Sequence, residues 1–175
     1  MANLSAQPQW FHFFRDIVRT GLLAEMDGST LKVYVSVKAH SNHQSGESRP
    51  TQQTISRETG LSLATVKRSI SQLEKFGLLQ KNKTARKNNS YFLNEKIQVL
   101  KNKEPHFQID FRYVPSQIAQ ITKKIKDSLS VGELPDSNQI NITINVLGQG
   151  IQMNGCQQMD ENEMNKIWVQ NGGHQ

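Results

Sequence analysis

The stretch that follows Ser62 repeats its apolar and polar positions with the period of an α-helix. When successive residues are placed about 100° apart, Val66, Ile70 and Leu73 fall within one narrow sector. Small, hydroxylated and cationic side chains occupy the other side and its flanks; they are Ala64, Thr65, Lys67, Arg68, Ser71 and Lys75. Ser62 is a good N-cap, and Gly77 is a typical C-terminal signal. The pattern therefore predicts an amphipathic helix with one buried side and one polar side.

A shorter helix is predicted immediately before it. Pro50 and Thr51 mark the start of this helix and Gly60 marks its end. Thr51, Gln52 and Gln53 lie at its N-terminus, where backbone amides and the helix dipole favour a phosphate group. The two helices are thus joined by a glycine-containing turn.

A β-hairpin is predicted after Gly77. The sequence "LLQKNKTARKNNSYFLNEKIQVL" indicates two short strands around the turn-rich tip "ARKNN". Its basic and polar side chains are Lys81, Lys83, Arg86, Lys87 and Asn88. Two helices joined by such a turn and followed by a hairpin have the layout of a winged helix-turn-helix.

The segment before residue 41 is less clear from its pattern. Apolar residues from Trp10 to Met26 have near-helical spacing, which Gly21 interrupts. Ser29 is a candidate N-cap for "TLKVYVSVKAH". The valines at 33, 35 and 37 alternate as in a strand, whereas Leu31, Tyr34, Val35 and Lys38 repeat as in a helix.

The chain beyond residue 103 changes in character. "HFQIDFRYV" is compatible with a strand or an extended linker, and Pro115 starts a helix with a stripe of isoleucine and leucine at 118, 121, 125 and 129. "INITINV", residues 140–146, alternates with the period of a strand, and "MDENEMNKIWV" favours a last short helix. These apolar faces either fold back on the preceding domain or pair with a second copy, so a homodimer through residues 115–146 is one of two open alternatives.

Positive charge is concentrated in the middle of the chain. The net charge is +6, but residues 49–103 contain twelve basic and three acidic residues, a local net charge of +9. Clustered basic residues are the electrostatic signature of a polyanion partner, and a solvated basic surface is the alternative.

The segment "RPTQQTISRETGLSLATVKRSISQLEKFGLLQK" resembles the winged helix-turn-helix domain of plasmid and phage replication initiators and of many bacterial transcriptional regulators. The residues that carry this resemblance are Pro50, Thr51, Ile55, Gly60, Leu61, Ser62, Thr65, Val66, Arg68, Leu73, Gly77 and Leu78. The likeness covers roughly residues 10–100 and is strongest at 49–83. It implies a helix beneath the motif, which favours a helix over a strand at residues 30–40.

The resulting expectation is a mainly α fold with a small β-hairpin wing in residues 1–103, followed by a C-terminal α+β or partly disordered extension in residues 104–175. The function expected is sequence-specific binding of double-stranded DNA, in transcription regulation or replication initiation. The candidate DNA-binding residues are Thr51, Gln52, Gln53, Ser62, Ala64, Thr65, Lys67, Arg68, Ser71, Lys75, Lys81, Lys83, Arg86, Lys87 and Asn88. The alternative is a non-enzymatic interaction module that uses the winged helix for assembly.

Other motifs support no catalytic residue, cofactor or metal site. The histidines at 40 and 43 lack further ligands and are better interpreted as loop residues, and Cys156 has no neighbouring base in the sequence. Gly148-Gln-Gly150 lacks the rest of a phosphate loop. The aromatic cluster Trp10, Phe11, Phe13 and Phe14 favours a core role over partner binding. A single cysteine and the lack of a long apolar run predict a cytoplasmic protein that does not enter a membrane.

Overall fold

A computed structural model describes residues 10–82, 89–135 and 142–146 of the 175-residue chain. The α-helices are α1 (Asp16–Arg19), α2 (Leu22–Glu25), α3 (Gly28–Ala39), α4 (Gln52–Thr59), α5 (Leu63–Lys75) and α6 (Ile118–Ser130), the last preceded by a 3₁₀ turn at Pro115–Gln117. The strands are β1 (Glu47–Ser48), β2 (Leu79–Asn82), β3 (Ser90–Lys101), β4 (Glu104–Arg112) and β5 (Ile142–Val146). The expected winged helix-turn-helix layout is confirmed, together with α+β structure in the segment that follows it.

The first helices begin and end where the backbone rules predict, with one exception. Gly21 has a φ of 80° and separates α1 from α2. The helix predicted at residues 30–40 is confirmed as α3, but the N-cap predicted at Ser29 is wrong. Asp27 is the cap, because its carboxylate accepts a 2.6 Å hydrogen bond from the backbone N–H of Thr30.

The buried side of α3 differs from the predicted stripe. Val33, Tyr34, Val37 and Lys38 are buried, whereas Val35 of the predicted repeat is exposed. Helix α3 packs against both α4 and α5. A helix covered on several sides has weak amphipathic periodicity, so its sequence did not indicate which side would be buried.

The helix-turn-helix itself follows the predicted capping. The side-chain oxygens of Thr51 and Ser62 accept hydrogen bonds from Thr54 N–H (3.0 Å) and Thr65 N–H (3.2 Å) at the starts of α4 and α5. Gly60 ends α4 with a φ of 71°, a left-handed conformation that costs glycine little. These local rules fix the direction of the chain between the two helices.

A long strand connects the wing to the rest of the sheet. Strand β3 pairs antiparallel with β2 from Leu79↔Leu93 to Asn82↔Ser90, and its second half pairs antiparallel with β4. The segment that was compatible with a strand or a linker is therefore strand β4. The sheet is larger than the wing alone, because different partners cover the two halves of β3.

The C-terminal apolar faces fold back on the same chain. Ile118, Ile121 and Ile125 of α6 belong to one core cluster with Leu73 of α5, and β5 pairs with β4. The apolar stripe of α6 was the reason to consider a dimer. Because this stripe is buried within the same chain, dimerisation through residues 115–146 stays a prediction without that support. The boundary predicted after residue 103 falls in the turn between β3 and β4. The division into two domains also stays a prediction.

Within the described ranges, no helix has both the length and the apolar character needed to cross a lipid bilayer. Cys156, the glycines at 148 and 150, and the last predicted helix lie outside these ranges.

Candidate nucleic-acid interface

The polar side of α5 faces solvent along its whole length. Ala64, Lys67, Arg68, Ser71 and Lys75 are exposed, and Thr65 is half-buried. The opposite side of the same helix is completely buried in the core. The helix therefore presents an unobstructed cationic surface to solvent, as far as the described residues extend.

The hydroxyl groups of Ser62 and Thr51 stabilise the starts of α5 and α4. Ser62 is exposed, but its oxygen lies 2.9 Å from Thr65 Oγ1 in addition to accepting the Thr65 N–H. Thr51 makes the same pair of contacts with Thr54. Because these oxygens cap helices, the DNA contacts predicted for Thr51 and Ser62 have to compete with a role in folding.

The glutamines at the start of α4 differ from each other. Gln53 is exposed, whereas Gln52 is half-buried. Burial raises the pKa of the Tyr91 hydroxyl, and hydrogen bonds with Asn89 and Gln52 oppose this rise. Gln52 is therefore engaged with strand β3, which leaves Gln53 as the more available side chain.

The wing contributes fewer described residues. Lys81 of β2 is half-buried, and Lys83, Arg86, Lys87 and Asn88 lie outside the described residues. Arg112 of β4 was not a predicted site residue. Its guanidinium carbon lies 4.1 Å from the centre of the Phe92 ring, and one nitrogen donates to Gln80 Oε1 at 3.3 Å. No sequence signal indicated Arg112, since its position beside β2 depends on strand pairing.

The cations of α5 lie in a weakly compensated field. Within the described parts of the chain, Lys67, Arg68 and Lys75 form no ion pair within 4.0 Å. Arg68 has a weak effect on one acidic group: the pKa of Asp27 is lowered mainly by the Thr30 N–H, and the charge of Arg68 lowers it further. The surface is accordingly suited to bind an anion without first breaking a salt bridge.

A buried charged cluster lies behind this surface and was not predicted. Lys38 Nζ contacts the Glu95 carboxylate and lies 3.0 Å from the Tyr34 hydroxyl and 4.4 Å from the centre of the Tyr113 ring. Burial lowers the pKa of Lys38, and the charge of Glu95 opposes that change. Burial likewise raises the pKa of Glu95 against the effects of Lys38 and Tyr34. The cluster ties α3 to β3.

The first of the loop histidines also has a partner. His40 Nε2 lies 2.8 Å from Glu58 Oε1, and Ser36 Oγ donates to the other oxygen at 2.8 Å. Burial raises the pKa of Glu58, but the hydrogen bonds from Ser36 and His40 outweigh it and hold that pKa below its usual value. These contacts join α3 to the end of α4.

Residues 24–79 match a family model described as a helix-turn-helix domain. This segment of the chain is therefore similar to helix-turn-helix domains. The match runs from within α2 to the first residue of β2 and covers about a third of the sequence. It includes α5, which carries the cationic surface, together with α4 and the supporting helix α3. No curated protein matches the chain.

Two solved structures are similar to parts of the chain. A peroxide stress regulator from Campylobacter jejuni is 18% identical with a TM-score of 0.32, over 69% of this chain and 85% of that chain. A MarR family transcriptional regulator from Silicibacter pomeroyi DSS is 17% identical with the same TM-score, over 71% of this chain and 69% of that chain. Scores this low do not establish a shared overall fold.

Proposed function

We propose that the protein binds double-stranded DNA in a sequence-specific manner, with α5 in the major groove, and that it acts in transcription regulation or replication initiation. The observation that supports this most directly is the exposed cationic side of α5 opposite a buried apolar side. A recognition helix needs both features, because one side has to be held rigidly while the other meets base edges.

The spacing of side chains on α5 suits a close approach to base pairs. Ala64 and Ser71 are small and exposed, so the helix backbone can approach the groove floor. Arg68 lies between them and can donate two parallel hydrogen bonds to O6 and N7 of guanine. Thr65 and Lys67 flank this position. Arg68 is therefore the residue proposed to contribute most to base discrimination.

Other residues are proposed to position the protein on the phosphate backbone. Gln53 lies at the start of α4, whose N-terminal amides favour a phosphate. Lys75 and Lys81 carry charge at the end of α5 and in β2, and Lys87 belongs to the predicted wing tip. Such contacts contribute affinity for any sequence and make it depend on salt.

The test is to select duplexes from a random pool and to measure affinity for the recovered site by fluorescence anisotropy. The comparison is a scrambled duplex of equal length, titrated across a series of salt concentrations. Neutralisation of about six phosphates gives a slope of about −5 in log K against log salt concentration. Arg68→Ala should cost about 1–3 kcal/mol on the recovered site and much less on the scrambled duplex, whereas Lys87→Ala should weaken both alike.

Arg15→Ala is the matched control, because it removes one exposed positive charge outside the proposed interface. It should change binding to both duplexes only slightly. If the protein fails to bind any duplex even at low salt, the winged helix is instead an assembly module. If Arg68→Ala and Arg15→Ala have the same effect, the role proposed for Arg68 is wrong.

A further inference from the structure

Gln72 of α5 was not predicted as a site residue, but it lies on the same side of the helix as Thr65. It follows Thr65 by seven residues, which is about two helical turns, so both side chains leave the helix in nearly the same direction. Arg68 precedes Gln72 by four residues and is therefore its neighbour on the helix surface. Gln72 is half-buried, as Thr65 is. Part of its side chain is thus accessible from outside the fold.

The amide of Gln72 is held by Thr30 of α3. Thr30 is completely buried, and its Oγ1 lies 2.8 Å from Gln72 Oε1. Two oxygens at this distance need a proton between them, and because an amide oxygen carries none, the Thr30 hydroxyl is the donor. The oxygen of Gln72 therefore faces α3, and its NH₂ group is the end left for a partner.

The negative charge of Asp27 lies next to this contact. Its carboxylate accepts a 2.6 Å hydrogen bond from the Thr30 N–H, so Asp27 and Gln72 share Thr30 as a partner. The other flank of α5 carries Lys67, which is exposed and has no ion pair within the described ranges. A phosphate is favoured beside Lys67 and disfavoured beside Asp27, because like charges repel. The NH₂ group of Gln72 is therefore better placed for a neutral base edge than for the phosphate backbone.

An amide that offers only its NH₂ group distinguishes between bases in the major groove. A glutamine with both ends available pairs with adenine, because it donates to N7 and accepts from N6. The outward end of Gln72 can only donate. Guanine presents two acceptors in the major groove, O6 and N7, and no donor. The orientation of the amide thus favours guanine over adenine.

We propose that Gln72 is a further base-reading residue, that its Nε2 donates to O6 or N7 of a guanine, and that Thr30 is the positioning residue that selects this orientation. This inference rests on the proposed function, because it needs α5 in the major groove. It adds a second specificity position to that of Arg68. Four residues of helix rise about 6 Å, so the two positions should lie about two base pairs apart.

The test is to select duplexes from a random pool with the original chain and with each variant, and to compare the base preference at every position of the recovered site. Gln72→Ala should lower the preference for guanine at one position by about fivefold, as expected for one hydrogen bond, and should leave the position read by Arg68 unchanged. Gln72→Glu presents only acceptors, so the same position should change to cytosine, whose N4 is a donor. Gln44→Ala is the matched control in the exposed loop after α3 and should recover the original site.

Thr30→Val separates a positioning role from a purely structural one. The change removes the hydroxyl and keeps a branched side chain, so the Gln72 amide can turn and adenine should become acceptable where guanine was preferred. Thr30→Ser keeps a hydroxyl and should retain the preference for guanine. Urea denaturation of each variant measures stability, which a purely structural contact would change without any change in base preference.

The proposal is overturned, with the proposed function intact, if Gln72→Ala recovers the original site with the same preference at every position. It is also overturned if Thr30→Val lowers stability but leaves guanine preferred. If the original chain binds no duplex, the proposed function and this inference both fail.

A base other than guanine at the position that Gln72→Ala changes would overturn the proposed orientation. Asp27 is the competing acceptor for the Thr30 hydroxyl, since hydrogen bonds from the Thr30 N–H and from that hydroxyl lower the pKa of Asp27. A preference for cytosine would show that the hydroxyl donates to Asp27 and that Gln72 presents its oxygen to the base.

Discussion

Helices α3 and α5 pack against each other, but Lys38 of α3 and the outer cations of α5 lie in opposite environments. Arg68 and Lys67 of α5 are exposed, and neither belongs to an ion pair within the described residues. Lys38 of α3 is 1% exposed and contacts Glu95, Tyr34 and the Tyr113 ring. Positive charge on α5 is thus available to a partner, whereas the charge of Lys38 on α3 is buried and paired in the core.

This difference between the two helices predicts that the exposed cations of α5 affect binding, whereas the buried cation of α3 affects the stability of the fold. An exposed cation gains little from its own protein and keeps its field for a ligand, whereas a buried cation is unfavourable unless its partners are complete. We therefore expect substitutions on the outer side of α5 to affect DNA affinity and substitutions of Lys38 to affect folding.

The largest effect is expected from Lys38→Met. The change leaves the Glu95 carboxylate buried without its cation, which should lower the free energy of unfolding by about 3–5 kcal/mol. Urea denaturation followed by circular dichroism measures it.

The control is the double variant Lys38→Met, Glu95→Leu, which removes both charges and keeps apolar volume. It should recover most of the lost stability, because replacing both partners avoids the unpaired charge. A double variant as unstable as the single one would show that the cluster stabilises by its own attraction and not merely by avoiding an orphaned charge.

The next largest loss of stability is expected from a substitution on the buried side of α5. Leu73 is completely buried, so Leu73→Ala should cost about 2–5 kcal/mol through lost apolar contact and the cavity left behind. The same urea titration measures it, with Val131→Ala at an exposed position after α6 as the control. A loss below 1 kcal/mol for Leu73→Ala would mean that α5 is held by other contacts.

The sequence predicted α5 well because each of its features is local. Its apolar stripe, its Ser62 cap and the Gly60 turn all depend on residues within a few positions of one another. Lys38 was predicted only as part of a helical stripe, since its partner Glu95 lies 57 residues away. A pairing over that distance depends on how α3 meets β3, and no local periodicity encodes it.

The sheet and the N-terminal aromatics illustrate the same limit. Strand β4 was ambiguous in the sequence because its alternation is only decided when β3 and β5 pair with it. The N-terminal aromatics were predicted to lie in the core. Phe11 and Phe14 do pack against it, but Trp10 is 78% exposed and Phe13 is 43% exposed. The sequence shows where the aromatics are and not which elements surround them.

A smaller loss of stability is expected from Ser62→Ala at the start of α5. The change removes the cap that accepts the Thr65 N–H, so it should lower the free energy of unfolding by about 0.5–2 kcal/mol. Ser62→Asp is the informative companion, since it keeps a capping acceptor and should restore stability while its negative charge weakens DNA binding. If Ser62→Asp restores both properties, the start of α5 does not approach phosphate.

The smallest effect on stability is expected from Arg68→Ala, and it tests the comparison most directly. Arg68 is exposed, and its described interaction with an acidic group is a minor lowering of the Asp27 pKa. The free energy of unfolding should therefore change by no more than about 0.5 kcal/mol in urea denaturation, as for other exposed positions. The same variant should lose affinity for the recovered DNA site. A loss of more than 1 kcal/mol in folding would place Arg68 among the residues that hold α5 against α3, and the separation of binding from stability would then fail at its central residue.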